Sequence, residues 1–336
     1  MVNCSFCGRK AVYVSKALGR AYCKKHFLEY FDKKVRRTIR KYKMFSEKET
    51  IIVAVSGGKD SLALLHYLVK LSKRVPGWTI KALLVDEGIK GYRETTIKDF
   101  LRVAEELSVE YRIVRFRDEL GYTLDEIIEM GRRKKLPYHS CSYCGVFRRY
   151  LLNKAAREMG GTVIATAHNL DDVIQTYLMN IVKNSWEKIV RLGPVSGIAG
   201  HPRFIRKVKP FYEILEKESA LYAILSNLYP RFVECPYAQQ SIRWYLRKYI
   251  NKLEEMYPGT KYSMLRSLLR IIQLLEDKTN KIIEGEIRSC RICGEPASHD
   301  LCRACTYRLE LEIMDENGNI IKNMDTGALG NQLSIC

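Results

Sequence analysis

Ile51-Ile52-Val53-Ala54-Val55-Ser56-Gly57-Gly58-Lys59-Asp60-Ser61 is the stretch on which the architecture turns. Five apolar residues rich in β-branched side chains read as a buried strand. Two glycines then let the backbone turn sharply and approach a ligand closely. A helix follows from Ser61 to Leu71, with Leu62, Leu65, Leu68 and Val69 on one face. A turn that feeds a helix N-terminus aims its amides outward, and the helix dipole adds positive potential there. With Lys59 and the hydroxyls of Ser56 and Ser61, the turn becomes a cradle for an anion. It is not the Walker pattern, which needs four residues between its glycines followed by Gly-Lys-Ser/Thr.

Outward from this turn the same alternation continues. Ile80 to Val85 reads as a second strand, Thr95 to Leu107 as a helix and Tyr111 to Phe116 as a third strand. Val163 to Ala167 is a fourth strand, followed by a helix from about Asp171 to Val182. Strands alternating with helices of this length predict an α/β fold, a parallel sheet with helices on both faces. From about Glu213 to Ile283 the pattern is mostly helical.

The chain has 336 residues, 46% hydrophobic and 28% charged, a globular composition. No apolar run approaches the roughly 20 residues of a membrane span, and the N-terminus runs straight into Cys4-Ser5-Phe6-Cys7. Export and membrane insertion are therefore not expected, and the eleven cysteines point to metal or catalytic thiols over a disulfide framework. The formal net charge of +19 predicts a polyanionic partner. Thiolates bound to metal would remove only a few of those charges.

The cysteines fall into three groups. Cys4-x2-Cys7-x15-Cys23-x2-His26 has the close ligand pairs of a Cys₃His structural zinc site, and Cys290-x2-Cys293-x8-Cys302-x2-Cys305 those of a Cys₄ ribbon. His299 competes as a neighbour, but four cysteines already saturate that ion. Between these ends stand Cys141, Cys144 and Cys235, the first two just before a basic helix carrying Arg148 and Arg149. A CxxC alone is equally a redox pair, half a zinc site or a cluster ligand pair. Three thiolates leave an iron–sulfur cluster with one iron open. Cys336 receives no role.

The Ser-Gly-Gly-x-Asp-Ser turn after the first strand resembles the signature of the PP-loop ATP pyrophosphatases, adenine nucleotide alpha hydrolase-like proteins. The resemblance implies that Ser56, Gly57, Gly58, Lys59, Asp60 and Ser61 grip the pyrophosphate half of ATP. It further implies that Ala54, Val85 and Ala167 contact the nucleotide at the strand ends. Ala167-His168-Asn169-Leu170-Asp171-Asp172 matches a later segment of that family. There Asp171 is expected to cap the helix, with Asn169 an equal alternative, and Asp172 to serve catalysis or a Mg²⁺ ion. Together with CxxC, a distant third cysteine and zinc modules at both ends, the chain is similar to the tRNA 2-thiouridine synthetases. More narrowly, it is similar to the type that thiolates 5-methyluridine 54 in thermophiles.

That likeness implies a [4Fe–4S] cluster on Cys141, Cys144 and Cys235, Arg148 as a nucleotide contact, and Lys59, Asp60, Asp172, Cys141 and Cys235 as catalytic residues. It implies ATP, Mg²⁺ and two Zn²⁺ as cofactors, and tRNA and a ubiquitin-like sulfur carrier ending in a thiocarboxylate as partners. A cytoplasmic homodimer is expected. A persulfide on Cys141 or Cys235 without a cluster is the mechanistic alternative. The wobble uridine 34 is the alternative target. Amide formation or lysine attachment through an adenylated substrate, and a non-catalytic zinc-ribbon RNA-binding protein with a relic nucleotide site, are readings from other classes. The expected domains are a zinc finger (1–30), a basic linker helix (31–49), a catalytic domain (50–285), a zinc ribbon (286–310) and a tail (311–336). Candidate RNA contacts are Lys33 to Lys43, Arg132-Arg133-Lys134-Lys135, and Arg243 to Lys248 with Trp244 and Tyr245 interleaved.

Overall fold

A computed structural model describes residues 2–197, 201–229, 231, 233–283 and 287–321, so Cys336 and most of the expected tail lie outside the described residues. The chain opens with a hairpin, β1 (Tyr13–Ser15) and β2 (Arg20–Tyr22), and the long helix α1 (Lys24–Lys41). Then come β3 (Glu49–Val55), α2 (Lys59–Ser72), β4 (Trp78–Asp86), α3 (Arg93–Glu106) and β5 (Glu110–Arg115). Next are α4 (Phe116–Leu120), α5 (Leu124–Arg133), α6 (Ser140–Glu158), β6 (Val163–Thr166), α7 (Leu170–Val182) and α8 (Trp186–Ile189). The short strands β7 (Val195–Ser196) and β8 (Arg206–Val208) precede α9 (Glu216–Leu225), α10 (Ile242–Met256) and α11 (Thr260–Ile283). A small hairpin, β9 (Arg288–Ser289) and β10 (Pro296–Ala297), and α12 (Arg303–Glu310) follow.

The central sheet has the order β5-β4-β3-β6-β8-β7 and is parallel through β8. Period-two alternation divides its side chains between two helical layers. Ile51, Val53, Val55, Ala82, Leu84, Val163 and Ala165 enter the core shared with α1, α2, α3, α7 and α9. Ile52, Leu83, Val85 and Ile164 enter the opposite core, with Tyr143, Phe147 and Leu151 of α6 and Tyr307 of α12. Helices on both faces are thus a consequence of strands that are apolar on both sides.

Two features differ from the sequence reading. The sheet ends in an antiparallel pair, since β7 meets β8 with Val195 opposite Val208; a two-residue strand has too few positions to show periodicity. The CxxC does not precede the basic helix but forms its first turn, because α6 starts at Ser140. No helix among the described residues is long and apolar enough to cross a membrane.

Candidate functional site

The glycine turn and the Ala167–Asp172 segment follow β3 and β6 at the C-terminal edge of the parallel strands, the edge where open α/β sheets bind ligands. β3 delivers Ser56 and Gly57, and Gly57 adopts φ +78°. A Cβ there would lie 2.1 Å from the carbonyl oxygen of Thr96, so this position admits only glycine. Gly58 caps α2, and Ser61 folds back to close the loop: its Oγ accepts the Ser56 N–H (3.1 Å) and donates to Gly58 O (2.9 Å). Ala54 and Val85 stand on adjacent strand ends, and Ala167 directly follows β6.

Lys59 does not point into empty space. Its Nζ lies 2.8 Å from both Asp60 Oδ2 and Glu216 Oε1. Burial disfavours its charge, yet the two carboxylates outweigh that and raise its pKa. Asp60 is pushed up by burial despite Lys59 and a short hydrogen bond from Ser219 Oγ. Glu216 also holds Arg247 Nη2 at 3.0 Å. Local spacing does not reveal Glu216 and Ser219 as partners of Lys59 and Asp60, because they lie 157 and 159 residues away along the chain.

The acidic pair after β6 is arranged otherwise than expected. Asn169 is the N-cap of α7 and Asp172 its reciprocal partner: Asp172 N–H donates to Asn169 Oδ1 (3.1 Å) and Asn169 N–H to Asp172 Oδ2 (3.2 Å). Asp171 does not cap. It is buried, paired with Lys261, and accepts the Glu216 N–H at 2.8 Å. Asp172 keeps Oδ1 toward Arg243, 3.7 Å away, and burial raises its pKa. His168 sits beside them, its Nδ1 2.9 Å from Thr166 Oγ1, and the charges of Lys209, Arg243 and Arg148 disfavour its protonated form.

A line of charge, buried at Arg93 and Glu87 and exposed at Arg148, joins the glycine turn to Cys144. Arg93, the first residue of α3, donates from Nη1 to Ser56 O (2.9 Å) and from Nη2 to Val85 O (2.5 Å), and its Nε lies 3.0 Å from Glu87 Oε2. Glu87 Oε1 in turn holds Arg148 Nη2 at 2.5 Å, and the same Nη2 donates to Cys144 Sγ at 3.0 Å. Neither Arg93 nor Glu87 was foreseen; the one signal was an acidic pair, Asp86-Glu87, ending an apolar strand.

Cys141 is exposed, and Cys144 and Cys235 are half-buried. The segment bearing Cys235 is tied down by Tyr237 OH to Asp125 Oδ1 (2.7 Å), and Ser140 Oγ donates to Gln240 Oε1 (2.9 Å). Burial lifts Cys144 to about 11 against the pull of Arg148, and the negative charges of Glu87, Cys235 and Cys141 add to the rise. The three thiols therefore share one electrostatic environment. Metal-sized sets of ligand atoms, all within 4.8 Å, occur twice among the described residues: Cys4, Cys7, Cys23 and His26, and Cys290, Cys293, Cys302 and Cys305. Sulfur pairs at 3.6 Å (Cys7–Cys23 and Cys293–Cys302) match the roughly 3.8 Å that Zn–S bonds of about 2.3 Å impose in a tetrahedron. Cys141, Cys144 and Cys235 form no such set, being spread more widely than one tetrahedral ion needs.

The basic segments divide. Lys34 is buried with Glu218, Lys41 and Arg37 face Glu213, and Arg36 pairs with Asp32. Arg132 and Arg133 are exposed on Glu129, and Lys134 meets Glu312. On α10, Arg243 and Arg247 turn inward to the site, while Tyr245 stays exposed and Lys248 lies over the Trp244 ring at 5.4 Å.

The PP-loop domain family matches residues 28–253. A tRNA-5-methyluridine(54) 2-sulfurtransferase from Pyrococcus horikoshii is 38% identical over 91% of this chain and 93% of its own. A probable sulfurtransferase from Methanocaldococcus jannaschii is 37% identical over 91% of this chain and 87% of its own. Among solved structures, the U34-tRNA thiolase NcsA from Methanococcus maripaludis with its [4Fe-4S] cluster superposes with a TM-score of 0.79 at 34% identity, covering 94% of this chain and 98% of that one.

Proposed function

The chain belongs to the PP-loop family, in its tRNA-thiolating branch, and from that premise we propose that it is an ATP-dependent tRNA uridine 2-sulfurtransferase acting on 5-methyluridine 54. The observation that supports the reading is the contact line Ser56–Arg93–Glu87–Arg148–Cys144, which links the glycine turn to one of the three central thiols. The wobble uridine is the second reading, favoured by the target named for the solved thiolase.

In this mechanism the loop amides from Ser56 to Ser61 and the N-terminus of α2 hold the pyrophosphate half of ATP. Lys59, released by Glu216, follows the negative charge that builds on departing pyrophosphate. Asp60 and Asp172 are the carboxylates that would hold a Mg²⁺ ion, which would supply positive charge to the phosphates. The uridine C2 oxygen attacks the α-phosphorus and pyrophosphate leaves; a sulfur nucleophile then adds at C2, and AMP departs with the former oxygen. Cys141, Cys144 and Cys235 would hold a [4Fe–4S] cluster, which supplies an iron position open to a soft sulfur ligand. Arg148 fits both neighbours, touching Cys144 from the nucleotide side. The sulfur source in this reading is a thiocarboxylate carrier protein, the active form is a cytoplasmic homodimer, and the two cysteine-rich ends are zinc-folded modules around residues 50–285.

Anaerobically prepared protein tests the scheme. It should contain iron and acid-labile sulfide and release AMP from ATP faster when tRNA is present. AMP release indifferent to tRNA would remove the adenylation step, and a colourless, iron-free, active sample would remove the cluster.

A further inference from the structure

A cavity of about 220 Å³ opens beside α6. Arg149 and Lys207 line it from α6 and β8, and Phe204, Cys302 and Arg303 close it from the edge hairpin and the C-terminal ribbon. Neither Arg149 nor Lys207 makes an ion pair among the described residues. Glu295 is the one carboxylate in the wall, and it is already engaged by Arg157 and by Asn153 Nδ2 at 2.9 Å. Arg303 spends its guanidinium on the rings of Tyr138 and Tyr307. The wall therefore carries three cations against one committed carboxylate. Burial and the neighbouring Arg149 lower Lys207 to about 8, and Glu295, which Arg157 already engages, offsets that only in part. Arg149 lies five residues beyond Cys144 on the same helix, about 7.5 Å along its axis.

We propose that the Arg149–Lys207 cavity is a phosphate site that seats one phosphodiester of the tRNA beside the thiol cluster. The inference rests on the tRNA-thiolating reading and adds to it where the strand runs: over α6, between β8 and the ribbon. It also gives the ribbon's metal ligands a task, since Cys302 is part of the wall. Two cations that converge on one oxyanion replace the missing counter-ion, and the strand bearing it is held in register with the reacting base.

The test measures tRNA affinity between about 50 and 200 mM salt for the wild type, Arg149→Gln/Lys207→Gln and Arg149→Lys. The account expects the slope of log K against log salt to shrink by about 1 in the double variant. Arg149→Lys should keep the wild-type slope, and ATP binding should be unchanged in all three. Inorganic phosphate is the second probe, and tRNA should displace it from the wild type. A wild type indifferent to salt overturns both this site and the functional reading. A salt-dependent wild type whose double variant keeps its slope overturns the site alone, as do weakened ATP binding in the double variant and phosphate that binds without competing with tRNA.

Discussion

Gly57 shows how much one residue decides. Its positive φ and the 2.1 Å approach to Thr96 O that a Cβ would make leave no room for any side chain. Gly57→Ala should cost roughly 1–3 kcal/mol through overpacking and should abolish ATP binding, read by thermal melts and nucleotide titration together. Normal ATP affinity in that variant would show that the turn does not grip phosphate. Glu87 is the second decisive residue, a buried carboxylate between two arginines. Removing one partner of a buried ion pair costs about 3–5 kcal/mol, so Glu87→Ala should melt well below the wild type, and a variant of unchanged stability would mean the line of charge is idle. The glycine turn was legible because φ and close approach select for glycine locally. The Arg93–Glu87–Arg148 line was not, because buried ion pairs between distant residues impose no period on the sequence.

At the scale of elements, the start of α9 connects the N-terminal module to the phosphate loop. Glu218 accepts from Tyr13 of β1 (2.9 Å), Tyr30 of α1 (2.8 Å) and Lys34 (2.5 Å), while Glu216 and Ser219 on the same turn engage Lys59 and Asp60. A basic run from Lys33 to Lys43 invites reading as one charged face, but Lys34 is 7% exposed and belongs to the core. Helical periodicity fixes where α1 lies without telling which of its lysines has a buried carboxylate waiting 184 residues away. Lys34→Met strands Glu218 in that core and should cost about 3–5 kcal/mol, whereas Lys34→Met with Glu218→Leu should recover much of it. Equal melting temperatures for the single variant and wild type would show the pair to be solvated. The strands β7 and β8 and the helix α4 are too short to repeat, whereas α5 carries a legible signal, the capping box of Thr123 and Glu126 ahead of the buried Leu124 and Ile127.

Over the whole molecule, the two helical layers and the two cysteine-rich ends form connected cores. Cys290, Cys302, Cys305 and Tyr307 pack in the same apolar cluster as Phe147 and Leu151 of α6. A metal held by Cys290, Cys293, Cys302 and Cys305 would therefore, on removal, be felt in α6. Cys302→Ser is expected to bring zinc content from two equivalents to one and to lower the melting temperature of the entire chain. A wild-type melting profile at one equivalent would make the ribbon a passive appendage. Four cysteine spacings made both ligand sets legible from the sequence, since a metal tolerates few arrangements. The spacing of Cys141, Cys144 and Cys235 did not state what they hold; that Cys144 is linked through Arg148, Glu87 and Arg93 to Ser56 emerges only from the fold.

The most direct measurement is nucleoside mass spectrometry of unmodified tRNA incubated anaerobically with the reconstituted protein, ATP, Mg²⁺ and sulfide. Sulfur should replace one oxygen at a single uridine, position 54, only when ATP is present, and Cys144→Ser should yield none. Thiolation without ATP, or tRNA returned unaltered by a protein that holds its cluster and cleaves ATP, would contradict the account.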